Sequence, residues 1–169
     1  PITMVEYFLA SFAFGLVRIF MTVGFLSLLA WGCYDFNMAQ FAPGVFPFFG
    51  SLLITGWAMG LITTGLLIRW GQAAEALTWG IPFLLQPFSA VFYPVQDLPD
   101  WIEPIALALP STHAFEGMRD VMQGKPLPMD HLLWAYALNV VLIILAAMFF
   151  QKMVKIAKTK GLLAKLGTQ

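Results

Sequence analysis

The sequence predicts an all-α polytopic membrane protein with four transmembrane helices and an extracytoplasmic re-entrant helical hairpin before the last of them. Three observations carry this. The 169 residues are 60% apolar and 11% charged, where soluble domains are about 45–50% apolar and about 25% charged. Four apolar stretches each approach the ~20 residues that cross ~30 Å of hydrocarbon. Between the last two lies a stretch, Tyr93 to His131, that is too broken by prolines to span.

The spans fall within Phe8–Tyr34, Val45–Ile68, Leu77–Tyr93 and Leu132–Gln151. The first loop, Asp35 to Pro47, carries the turn residues Asn37, Pro43, Gly44 and Pro47. The link from Arg69 to Glu75 is short, so the second and third spans are expected to be antiparallel neighbours. Pro82 and Pro87 predict a kinked or broken third span.

The hairpin covers residues 94–130. Pro94, Pro99 and Pro104 open it, and Asp100 with Glu103 has capping-box spacing. The run Ile105 to Leu109 is too short to cross a bilayer. Pro110 breaks it, Ser111 or Thr112 can cap a second helix, and Gly124 can end that helix. On it, Ala114, Phe115, Met118, Val121 and Met122 share one face; Glu116, Arg119, Asp120 and Gln123 share the other. No repeat divides the chain, so residues 1–169 read as a single transmembrane domain. Pro1 stands where Met would begin a chain, which leads to the expectation of a fragment or processed piece.

Basic residues set the orientation. Lys152, Lys155, Lys158, Lys160 and Lys165 follow the last span, and Arg69 follows the second. The opposite side holds Arg119 and Lys125 among seven acidic residues: Asp35, Asp97, Asp100, Glu103, Glu116, Asp120 and Asp130. The positive-inside rule then predicts both chain ends in the cytoplasm and the hairpin outside. The Lys-rich tail reads as an amphipathic segment on anionic lipid.

Several chemistries are not expected. A net charge of zero gives no case for nucleic acid. One cysteine, Cys33, allows neither an internal disulfide nor a cysteine metal cluster. No P-loop, HExxH or G-x-S-x-G is present, so no cofactor and no nucleophile is expected.

The remaining candidates are weighed one by one. Arg18 inside an apolar run is a functional candidate by depth, but snorkelling to the inner headgroups is the plainer reading. Gly56 and Gly60 form a GxxxG pair suited to close helix packing, between subunits or within one. Gln86 between two prolines suits local backbone repair, and Asn139 suits a bond across helices. His113 and His131 support a rival reading as a redox or metal subunit or an enzyme, although no ligand spacing backs it; a non-transporting scaffold is a third. Glu116 and Arg119, three apart, can pair, and Asp120 makes Arg119 a shared partner. The plain reading is a solvated pair worth under ~1 kcal/mol; the functional one is a rigid post for an external gate, with Trp101 as interfacial anchor.

Taken in order, Ser89 to Pro94, Leu98 to Trp101 and Leu109 to Arg119 resemble the last third of ABC-2 type exporter permeases. There a segment "(S/A)G-hydrophobic-F-(Y/F)-P-x-x-x-L-P-x-W" is followed by a "L-P-x-T-(H/Y)" turn and an acidic–x–x–Arg pair. The resemblance covers residues 76–152 well and the rest loosely. Ala90 departs from it, standing where the family often has Gly. It implies six spans, of which two precede this chain. It also implies the same orientation in a bacterial inner membrane, a second permease subunit in a homo- or heterodimer, and a separate ATPase subunit that powers export of a polysaccharide, lipid-linked molecule or drug.

Overall fold

The computed structural model describes residues 4–35 and 40–160; Pro1, Asn37 and Lys165 lie outside them. Among the described residues there are helices and turns and no strand. Three helices are long and apolar enough to cross a membrane: Ala13–Tyr34, Ala42–Trp70 and Met129–Thr159. The chain divides into two compact units, Pro1–Pro43 and Gly44–Gln169.

The first unit holds α1, Met4–Tyr34. Its spanning window has a mean hydropathy of 2.0 and no buried residue. Thr22 and Ser27 donate their hydroxyls to the carbonyls of Arg18 and Val23, which suits a helix in hydrocarbon. Asp35 ends the helix at φ +54°, in the left-handed region that Asp tolerates better than most residues.

The second unit begins in α2, Ala42–Trp70. Pro43, Gly44 and Pro47, expected in a turn, lie inside this helix. Pro43 is tolerated because the N–H groups of a helix start have no intrahelical partner, whereas Pro47 lies past the first turn and removes one N–H from the ladder. Gly71, at φ +61°, terminates α2. A 3₁₀ turn, Gly71–Ala74, leads to α3, Glu75–Leu85, and a second turn, Gln86–Phe88, follows it. The third expected span is therefore an 11-residue helix and a turn. The reason is local: Pro87 has no N–H to continue the ladder and its ring crowds the carbonyl four residues back, even though Gln86 before it keeps helical angles.

The last helix, α6, runs over Met129–Thr159. The lysine-rich stretch is not a separate surface segment as far as it is described. Lys152, Lys155 and Lys158 lie on the last turns of α6, while Met153 and Ala157 are buried on its other side.

Helices α2 and α6 run parallel. Tyr136 donates its hydroxyl to the Pro47 carbonyl at 2.8 Å, Asn139 meets Ser51, and Gly65 faces Phe149 and Met153. Partners advance together along both helices. Apart from Phe48 and Met153, the buried positions are small or polar: Ser51, Ala58 and Gly65 on α2, Ala135, Asn139, Ala146 and Ala157 on α6. Large side chains such as Phe46, Trp134 and Leu145 point outward. That distribution suits helices in lipid, where close backbone approach rather than apolar burial holds neighbours together.

Between α3 and α6 lie a turn at Val95–Asp97, α4 at Glu103–Leu107 and α5 at Pro110–Met122. The expected caps are not used. Ile102 precedes α4 and Leu109 precedes α5, neither with a side-chain cap bond. Proline in the first turn of each helix leaves one fewer N–H to satisfy there. Gly124, at φ +80°, follows the end of α5 and donates its N–H to the Val121 carbonyl. The buried residues of α5 are Pro110, Thr112, His113, Ala114 and Gly117, whereas Met122 is exposed. Small side chains line this face because the approach is close. A Cβ on Gly117 would lie 2.3 Å from the Phe48 ring, and one on Gly44 would lie 2.6 Å from Val121.

Candidate functional site

The site is where α5 holds the turn-rich segment that leaves α3. Tyr93 donates its hydroxyl to the Pro87 carbonyl at 2.7 Å, and Ser89 donates to the Leu85 carbonyl at 2.7 Å. The Ser89 bond satisfies a carbonyl at the end of α3, and the Tyr93 bond one in the turn that follows. Thr112 of α5 adds a bond to the Phe88 carbonyl at 3.1 Å.

Glu116 and Arg119 carry the main contact. Arg119 donates one Nη to Glu116 Oε1 at 2.7 Å and the other to the Ala90 carbonyl at 2.9 Å. Glu116 Oε1 also accepts the Val95 N–H at 2.9 Å. The side chains are 16% (Glu116) and 27% (Arg119) exposed, so this is not a solvated face. A planar guanidinium bridges a carboxylate and a carbonyl in a way that a single ammonium cannot. Asp120 does not share Arg119; its carboxylate takes Lys125 at 2.5 Å.

Ala90 is fully buried and sits at φ +53°. The left-handed region costs a residue with a Cβ about 1–2 kcal/mol. Its carbonyl is nevertheless aimed at Arg119, so the strain serves the contact. Ala90→Gly is expected to stabilise the detergent-purified protein by about 1 kcal/mol and to leave export intact, as thermal melting and an export assay would show.

His113 and His131 also meet. Their Nδ1 atoms are 3.3 Å apart, and His113 Nε2 donates to the Leu107 carbonyl at 3.0 Å. His113 also stacks on Trp134, at 20° between ring planes. Among the described residues no group of three or more His, Cys, Asp or Glu could hold a metal ion.

Other singled-out residues lie apart from this cluster. Trp101 is 74% exposed at the start of the α4 segment. Gln86 is exposed beside an open groove of about 310 Å³ that it lines with Thr78, Trp79, Pro82 and Phe83. Gly56 and Gly60 have no side chain of the same unit within 4 Å of where a Cβ would stand. Arg18 is exposed on α1, in the other unit. Asn139 is fully buried: its amide donates to the Ser51 carbonyl and hydroxyl at 2.9 and 2.8 Å and accepts from Thr55 at 2.8 Å. That network satisfies every polar atom of the Asn139 side chain between α2 and α6.

Three helices long and apolar enough to cross a membrane, with a broken helical segment between the last two, describe a polytopic membrane protein, and comparison with known proteins agrees. Residues 1–123 match the family model described as ABC-2 type transporter. The chain belongs to the ABC-2 type transporter family and is a multi-pass membrane component of that kind. Over 72 residues it is 35% identical to "ABC transporter G family member 20" of Dictyostelium discoideum, a match covering 43% of this chain and 10% of that protein. The chain thus spans about a tenth of that relative's length. No solved structure matches.

Proposed function

We propose that this chain forms part of the translocation path of an ABC-2 exporter and that its hairpin is the external gate. The supporting observation is the double hold of α5 on the backbone that leaves α3, Arg119 on the Ala90 carbonyl and Glu116 on the Val95 N–H. A gate must keep one pose against leak, and two charge-assisted bonds to backbone give it one. Power comes from a separate ATPase subunit. A second permease subunit completes the path, with the exposed GxxxG face of α2 as its contact.

In this reading the chain is one transmembrane domain with four crossings in a bacterial inner membrane, both ends cytoplasmic. The parallel run of α2 and α6 supports this. If both cross, the intervening chain must return from one side to the other, and α3 with the Gln86–Phe88 turn is the segment available for that crossing. Residues 94–130 then lie outside. In a Cys33→Ala background, cysteines at Asp35 and Lys125 are expected to react with an impermeant maleimide in intact cells. A cysteine at Lys158 is expected to stay unlabelled, and external labelling there would reverse the orientation.

Affinity purification from membranes tests the function itself. The tagged protein should bring down a Walker-type ATPase, and ATP hydrolysis should reside in that partner, since no phosphate-binding loop is present here. Robust hydrolysis by this chain with the partner removed would sink the permease reading.

A further inference from the structure

We propose that His113 and His131 form a proton-dependent clasp, which ties the hairpin to the start of α6 and opens when both rings are protonated. The clasp joins three elements. His113 stands in the first turns of α5, His131 in the first turn of α6, and the Leu107 carbonyl at the end of α4 accepts from His113 Nε2. That carbonyl is one of the orphan acceptors of a helix end.

The geometry distinguishes a shared proton from a shared metal. The nitrogens are 3.3 Å apart and the ring centres 5.6 Å apart. The second distance is the first plus one ring radius on each side, so the two Nδ1 atoms point at each other head on. An ion bound at about 2.0–2.1 Å from each nitrogen would need their lone pairs to converge off that line, or nitrogens about 4 Å apart along it. A hydrogen fits between them.

Because His113 Nε2 donates to Leu107, its Nδ1 is the acceptor when the ring is neutral, and His131 Nδ1 carries the hydrogen. One added proton is still accommodated: His113 Nδ1 then donates, and His131 shifts its hydrogen to Nε2. A second proton puts hydrogens on both Nδ1 atoms and two positive charges face to face. The titratable groups acting on His113 are His131 from α6 and Glu116 from its own helix; α4 contributes only the Leu107 carbonyl. Burial holds His113 below the ordinary histidine value of 6.5, and His131 adds to this against the opposing Leu107 carbonyl and Glu116. The clasped form therefore binds protons less readily than the open form. Its hold is full above about pH 6.5 and is lost as pH falls below that value.

The clasp is tested apart from transport, on the whole protein in detergent. Ala106 on α4 is fully buried. With Ala106→Cys in a Cys33→Ala background, maleimide labelling is compared between the native histidine pair and His131→Gln at each pH, which cancels the pH dependence of the thiol. The ratio of the two rates should rise at least about threefold between pH 7.5 and 5.5. A flat ratio overturns the clasp. Histidine ¹⁵N spectra, assigned by signals lost in His113→Gln and His131→Gln, should show His113 as the Nε2–H tautomer at pH 7.5. They should also show His113 taking up its proton below the ordinary histidine value of 6.5. Titration of His113 at the ordinary histidine value overturns the proposal, and so does protection of the cysteine by added Zn²⁺ that disappears in His131→Gln, which would mark a metal site instead.

Discussion

Arg119→Ala is expected to lower export severely while the protein still inserts and reaches normal abundance in the membrane. The substitution strands two groups at once: the part-buried Glu116 carboxylate loses its cation, and the buried Ala90 loses the donor to its carbonyl. Leaving such groups unpaired costs about 1–3 kcal/mol, which is roughly a 5- to 150-fold shift in the docking equilibrium of the hairpin. Helices α1, α2 and α6 do not depend on this contact for insertion. Glu116→Ala should be about as severe, because Asp120 is engaged by Lys125 and does not stand in. Exchanging the two residues should give no rescue. It would set an arginine against the Val95 N–H and a glutamate against the Ala90 carbonyl, donor on donor and acceptor on acceptor. Recovery by the exchange would mean that only the ion pair matters, as the sequence spacing by itself suggests.

The second large effect is expected at Gly117. Its missing Cβ makes room for the Phe48 ring, which is wholly buried. Helix propensity alone favours alanine there by about 1 kcal/mol, so the two effects compete. A contact at 2.3 Å to two ring carbons decides it; overpacking costs about 1–3 kcal/mol and splits α5 from α2. Gly117→Ala should therefore lower the melting temperature of the purified protein and export together. Adding Phe48→Leu should restore part of both. A neutral or stabilised Gly117→Ala would show that α5 is not seated on α2.

Much of the local structure is legible in the residues. Pro87, Pro104 and Pro110 mark breaks, although Pro43, Pro47 and Pro82 lie inside helices; Gly124 ends a helix, and the three-residue spacing of Glu116 and Arg119 gives their pairing. What is not legible is where that pair goes next. Its partners are main-chain atoms 21 and 29 residues away, and a carbonyl or N–H leaves no mark in the side-chain sequence. One hint was present: Ala90 replaces a residue that is often Gly, which points to a left-handed backbone. The meeting of His113 and His131, 18 residues apart on two helices, follows from tertiary packing and has no helical periodicity to reveal it. The seat of α5 differs from its apolar face for a physical reason. Large apolar residues mark burial in water-soluble helices, but here the close approach selects Ala114 and Gly117.

The central claim is that a latched hairpin closes the outer mouth and is released during the ATP cycle. Thr112 is fully buried beneath that latch and bonded to the Phe88 carbonyl. A cysteine at position 112, in a Cys33→Ala background of the assembled transporter, reports the latch directly. The account predicts protection from an impermeant maleimide at rest, labelling during ATP turnover, and labelling without ATP once Arg119→Ala is added. Equal labelling in all three states would contradict it.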